Sequence, residues 1–213
     1  MPAARPMIAV LAAALLALGP LAALGGPVGD QATKADQLAE SGDFAGALAA
    51  ADEMKGVLWD QQPALAFLNA FPVTERSAGY GLYNPRPDAI YKRGEPVQLY
   101  AEPVGFGYGD GGEGIVLVGF YVDLQVLGPD GQELANMTGI TEIDYKVRAR
   151  VREFAADVTY NFEGLAAGKY RLITTLRDKN SAKTGSFETD IEVTDEEWKA
   201  PTAEGAAAES SGG

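Results

Sequence analysis

Between Tyr100 and Gly114 the chain reads YAEPVGFGYGDGGEG, with Asp110 and Glu113 set among six glycines. Carboxylates in a glycine-rich loop are the raw material of a calcium site, because glycine lets backbone carbonyls turn inward beside them. Two carboxylates are few for this, and neither EF-hand nor repeat spacing is present. A phosphate loop needs G-x-x-x-x-G-K-[ST] between a strand and a helix. Here the Lys and the Ser or Thr are missing, and a strand follows. The remaining reading is a long, mobile hairpin loop, and no metal or other cofactor is expected. Phe106 and Tyr108 are candidate partner contacts, either exposed or folded back onto the end of the domain.

A second pattern is Tyr145-Lys-Val-Arg-Ala-Arg-Val-Arg152. On a strand, Lys146, Arg148, Arg150 and Arg152 would share one face ~6.7 Å apart, in a stripe of ~20 Å. Such a ladder suits a polyanion or an acidic peptide. The structural alternative pairs it with Glu188, Asp190 and Glu192 on another strand, as charged edges also discourage aggregation.

Other chemistry is bounded by what is missing. The chain has no histidine and no cysteine. That removes Ser-His-Asp triads, Cys-His dyads, His-ligated zinc and disulfides. Carboxylate-dependent hydrolysis of a polysaccharide stays open, though no acid pair is singled out by spacing. A net charge of −13 over 213 residues argues against nucleic acid and anionic membranes as partners.

The elements that must position these residues change character along the chain. Residues 30–72 read as a helical hairpin: Ala35, Leu38, Ala39 and then Phe44, Ala47, Leu48, Ala51 have helical spacing. Gly42-Asp43 supplies a stop and a new N-cap. Pro85 and Pro87 mark a linker-like stretch. From 79 to 193 come about seven strands with turn signals: Pro96–Glu102, Gly114–Leu127, Glu133–Thr141, Tyr145–Val151, Glu153–Phe162, Lys169–Arg177 and Gly185–Val193. This spacing predicts a mainly β domain, an antiparallel sandwich preceded by the hairpin. Ile115, Leu117 and Tyr121 make the second face of their strand apolar as well, so a cover is expected there, with the hairpin the nearest candidate.

Two local patterns carry resemblances. A-x-x-L-x-x-x-G-D-F-x-x-A-L resembles the helix-turn-helix of one tetratricopeptide repeat, without a second copy. Leu165-Ala-Ala-Gly-Lys-Tyr170 resembles the tyrosine corner of immunoglobulin-like and fibronectin type III sandwiches, which implies a structural role for Tyr170 through a hydroxyl-to-backbone bond. Signal segment, hairpin and sandwich together resemble uncharacterised exported bacterial proteins, a likeness that implies no activity.

Residues 1–25 have the layout of a secretory signal peptide: Arg5, then an apolar run from Met7 to Leu24, then Ala23-Leu24-Gly25 as a small-residue cleavage site. The rival reading is a retained anchor, since the run approaches the ~20 residues a bilayer needs. Residues 194–213 read as a disordered acidic tail with Trp198 as its one candidate anchor. The expectation is an exported, periplasmic or extracellular binding module without catalysis, whose partner is another envelope protein or a glycan and which has no stable membrane insertion after cleavage. The alternatives are a scaffold subunit docking through its hairpin, and the polysaccharide hydrolase.

Overall fold

The computed structural model describes residues 25–200. The signal segment, but for Gly25, and the last thirteen residues of the tail lie outside the described residues. The chain divides into two compact units within one helix, at Met54 and Lys55. The first unit holds α1 (Pro27–Glu40) and the start of α2 (Phe44–Gln61). Asp43 caps α2 as its sequence suggests, its Oδ1 accepting from Gly46 N–H at 2.9 Å. No helix among the described residues is long and apolar enough to cross a membrane.

The second unit is mainly β. It contains the last two turns of α2 and nine strands: β1 (Ala66–Pro72), β2 (Ile90–Arg93), β3 (Val97–Val104), β4 (Gly109–Gly112), β5 (Ile115–Leu127), β6 (Glu133–Val147), β7 (Ala156–Tyr160), β8 (Gly168–Asp178) and β9 (Thr184–Glu197). A three-stranded sheet has the order β1-β3-β7. A six-stranded sheet runs β2-β9-β8-β5, with β8 and then β4 along one edge of β5 and β6 along the other. Period-two alternation builds both inner faces. Val97, Leu99, Ala101, Val158 and Tyr160 of the small sheet share one buried core with Val118, Phe120, Val122, Leu124, Leu172, Leu176 and Ile191 of the large one. Each of the Val, Leu, Ile and Phe side chains among them contributes ~1.5–3 kcal/mol by leaving water. The Tyr160 hydroxyl bonds the Thr174 hydroxyl at 2.9 Å, joining β7 to β8 inside that core, and burial pushes the phenol up to about 12.

Several sequence expectations are corrected. Residues 66–72 are strand, not helix: α2 stops at Gln61, just before Pro63, and β1 then pairs with β3. The sheet is not purely antiparallel, because β2 runs parallel to β9. That pairing carries β9 to Glu197, and Trp198 N–H donates to the Arg93 carbonyl at 2.9 Å, so order reaches past the expected start of the tail at 194. The two strands expected at 133–141 and 145–151 are one strand, β6, ending at Val147. The second face of β5 is not fully covered: Tyr121 is 37% exposed, and beside its ring stand two cations, Lys179 Nζ at 4.7 Å and the Arg177 guanidinium at 5.0 Å from the ring centre. In the L-x-x-G-x-Y segment the Tyr170 hydroxyl donates to the Ala166 carbonyl at 2.8 Å.

Candidate functional site

The glycine loop is a packed piece of structure. Phe106 is 1% exposed. It meets Trp59 of α2 edge-on at 4.8 Å, and Phe120 and Phe154 at 5.7 and 5.6 Å. Trp59 Nε1–H donates to the Phe106 carbonyl at 2.7 Å. Tyr108 also folds back, its hydroxyl donating to the Val151 carbonyl at 2.7 Å. The turn after β8 latches this loop. Buried Asp178 accepts from Gly107 N–H at 2.6 Å, from Asn180 N–H at 2.9 Å and from the Ser181 hydroxyl. Lys183 Nζ donates to the Gly105 carbonyl at 2.7 Å. A Cβ on Gly107 would stand 2.9 Å from the Asn180 carbonyl oxygen, so glycine is needed there for close approach. Asp110 and Glu113 sit exposed at the β4–β5 tip, where Asp110 Oδ1 accepts from Gly112 N–H at 2.8 Å. Among the described residues no group of three or more acidic side chains is placed to hold a metal.

The basic stripe does not form. Lys146 lies on β6, but Arg148, Arg150 and Arg152 follow its end. The reason is the loss of a partner: Val147 pairs with Val116, and β5 begins only one residue beyond, at Ile115. Freed from a ladder, the arginines diverge. The Arg150 guanidinium lies 5.4 Å from the centre of the Tyr108 ring, and Arg152 lies against Gly56 of α2. Glu188, Asp190 and Glu192 pair instead with Arg171 and Lys169 on β8.

What the structure brings together is different. β6 hydrogen-bonds β5 along one edge, and among the described strands nothing pairs with its other edge. From Thr141 to Val147 it matches Val122 to Val116 without a register shift. Toward its start the ladder is broken: the two-residue step from Val122 to Leu124 is matched by a four-residue step from Thr141 to Met137. Gly139 turns this bulge at φ 62°, and its N–H donates to Asp123 Oδ1 at 2.7 Å. The register puts Met137, Ile143, Tyr145 and Val147 on the side of β6 that faces the core, yet Met137 and Tyr145 are each 40% exposed. Ile140, in the bulge, is exposed as well.

Beside that strand lies a cleft of about 370 Å³. One wall is Tyr145, Val147 and Val151, the other Arg76 to Tyr80, and Phe154, Glu153 and Asp157 complete it. Its second wall belongs to a strap, residues 73–88, which crosses the outer face of the small sheet. Asp157 of β7 accepts from Ser77 N–H at 3.0 Å and Ser77 Oγ–H at 2.8 Å. Gly81 N–H donates to the Tyr100 hydroxyl at 2.8 Å, which donates to Glu102 at 2.7 Å. Glu102 is buried and also accepts from the Asn69 amide at 2.7 Å. Burial, then the bond to Glu102, pushes the Tyr100 phenol well above its ordinary range. Burial and the charges of Glu102 and Glu153 raise Tyr80. A larger cleft of about 570 Å³ lies beside Lys169, Arg171, Asp190 and Glu192, but its charges already pair with each other across β8 and β9.

Sequence reasoning passed over Arg76, Tyr80, Glu153 and Asp157, because tertiary hydrogen bonds make the strap from a stretch that reads as a linker. The one available signal was Gly79-Tyr-Gly-Leu-Tyr83, aromatic residues spaced by glycine.

No family model matches the chain, and no curated protein matches it in sequence. Solved structures do match. One is the sporulation control protein Spo0M from Bacillus subtilis, 14% identical over 65% of this chain and 51% of that one, with a TM-score of 0.30. The chain thus spans about half of that protein's length, and a likeness at that score carries no argument.

The bulge gives a prediction about pH. Arg177 bonds Asp123 through Nε and Nη2 at 2.8 and 3.1 Å. That bond, opposed by burial and helped by Gly139 N–H, holds the Asp123 carboxyl below its ordinary 3.8. The depressed folded value means that stability is fully present above the ordinary value and is lost as pH falls through the folded one. Denaturant midpoints of wild type and Asp123→Asn, measured from about pH 6 to 2, should therefore converge on acidification. A gap that stays constant over that range would show that Asp123 titrates normally.

Proposed function

We propose that the protein is an exported, non-catalytic binding module of the cell envelope, built on an immunoglobulin-like sandwich, and that it holds a partner protein at the open edge of β6 and the adjoining Tyr80–Tyr145 cleft. Export rests on the Met7–Leu24 segment and its small-residue end. The sandwich reading draws support from two sheets around one core and from the Tyr170 bond to Ala166. One observation carries the function: a strand with an unpaired edge and half-exposed apolar residues runs directly into a tyrosine-lined cleft. Sheet edges of this kind are extended by strands of other chains, while neighbouring pockets take their side chains.

A photo-crosslinking amino acid at Tyr145, in the native host, should give a discrete adduct with one envelope protein. The same group at Glu163, an exposed loop position after β7, should not. Adducts from both positions, or from neither, would refute the assignment.

The scaffold reading keeps one specific support. Phe44 and Leu48 stand one turn apart on α2 and are 67% and 73% exposed. An adduct from Leu48 but not from Tyr145 would move the docking surface to the helices.

A further inference from the structure

We infer that the segment added to β6 is an extended stretch of a partner protein in which apolar and basic residues alternate, and that one of its apolar side chains enters the Tyr80–Tyr145 cleft. This rests on the reading of β6 and its cleft as the binding surface, and adds the chemistry of what binds.

Length comes first. The part of β6 in unbroken register with β5 runs from Thr141 to Val147. At ~3.3 Å per residue that is ~23 Å of straight edge, enough for six or seven residues of an added strand. The bulge at Gly139 ends the straight run on one side and the end of β6 closes it on the other, as β6 has no further partner there. Docking is therefore confined to the stretch beside the cleft.

The two faces of that stretch differ. On the core-facing side Tyr145 and Val147 line the cleft with Phe154. An added strand places every second side chain on this side, and those should be apolar. On the other side the register puts Glu142, Asp144 and Lys146, opposite Tyr121, Gly119 and Leu117. The carboxylates of Glu142 and Asp144 share one cation, Lys179, and remain 56% and 66% exposed. Alternate residues of the added strand come beside them, where a Lys or Arg is favoured and an acid is opposed. The whole chain carries −13, which attracts a basic segment from a distance and repels an acidic one.

The same charges argue against a second copy as the occupant. Two such chains repel each other.

The test uses the mature full chain and capped seven-residue peptides: alternating Val and Lys, alternating Val and Glu, and the Val–Lys peptide N-methylated at alternate amides so that it cannot pair as a strand. Binding is read from backbone amide shifts of the protein by NMR. We expect the Val–Lys peptide to shift Thr141–Val147, to bind at least ~10-fold more tightly than the Val–Glu peptide, and to lose binding on N-methylation and in Tyr145→Ala. Equal or stronger binding of the Val–Glu peptide would overturn the basic partner while leaving the edge as the site. Equal binding of the N-methylated peptide would overturn strand addition, as would no binding at millimolar peptide. A concentration-dependent dimer whose contacts lie at Thr141–Val147 would overturn the partner in favour of a second copy. A crosslink from Tyr145 in cells would survive the first of these outcomes, so failure of the chemistry and failure of the site are told apart.

Discussion

Phe106→Ala should destabilise the protein by ~3–5 kcal/mol, the usual cost of emptying a buried aromatic site. The residue is 1% exposed and packs against Trp59, Tyr108, Phe120 and Phe154 at once. No single neighbour can fill the space, so the cavity term is added to the transfer term. A loss of ~4 kcal/mol corresponds to a melting shift of roughly 10 °C for a chain of this size. Phe154 also lines the cleft beside β6, so the same variant should weaken peptide binding there. Phe106→Leu should recover roughly half the lost stability. A denaturant midpoint unchanged in Phe106→Ala would show that the glycine loop is mobile after all.

The second large effect is expected from the latch on that loop. In Asp178→Ala the Gly107 and Asn180 N–H groups and the Ser181 hydroxyl lose their acceptor. Asp178 is 6% exposed, so water replaces it poorly. Leaving buried donors unsatisfied costs ~1–3 kcal/mol for a single group, and here the total should reach ~2–4 kcal/mol. Asp178→Asn retains one carbonyl oxygen and should recover part of it. Hydrogen exchange at Gly107 gives a local readout: it should accelerate in both variants, more in alanine. A change confined to other parts of the sheet would mean that the turn and the loop are held independently.

The parts that could be read in the sequence are those set by local periodicity. Ala156, Val158 and Tyr160 alternate inward as expected, and so do Phe187, Ile191 and Val193. What could not be read depends on a partner. Residues 145–151 alternate as a strand should, yet β6 ends at Val147 because β5 begins opposite it, at Ile115 and Val116. The gap expected between Thr141 and Tyr145 falls within the unbroken β5–β6 ladder, while the Thr138–Ile140 bulge lies inside the strand expected at 133–141, where Gly139 was the local hint of it. β1 is rich in Ala, Leu and Phe, residues that suit either a helix or a strand, and only Pro63 signals the change. β2 has four residues and is strand solely because β9 lies beside it. The binding surface was hidden for the same reason. Tyr145 and Tyr80 are 65 positions apart, and the strap that joins them to one cleft is held by Asp157 and Tyr100. In the first candidate loop, the glycines were visible but their purpose, close approach by the turn after β8, was not.

The outward amides of Thr141–Val147 give the most direct test that β6 is the edge where a partner adds. In the free protein, the N–H groups on the open side of β6 have no strand to bond and should exchange with solvent quickly. Residue-resolved hydrogen exchange is to be compared for the free mature protein and for its crosslink-identified envelope partner complex. We expect the alternate amides of Thr141–Val147 that point away from β5 to become protected by at least ~10-fold, while those facing β5 change little. Protection confined to Phe44–Met54 of α2, or a bound state that leaves the open-side amides of β6 exchanging as before, would contradict the assignment.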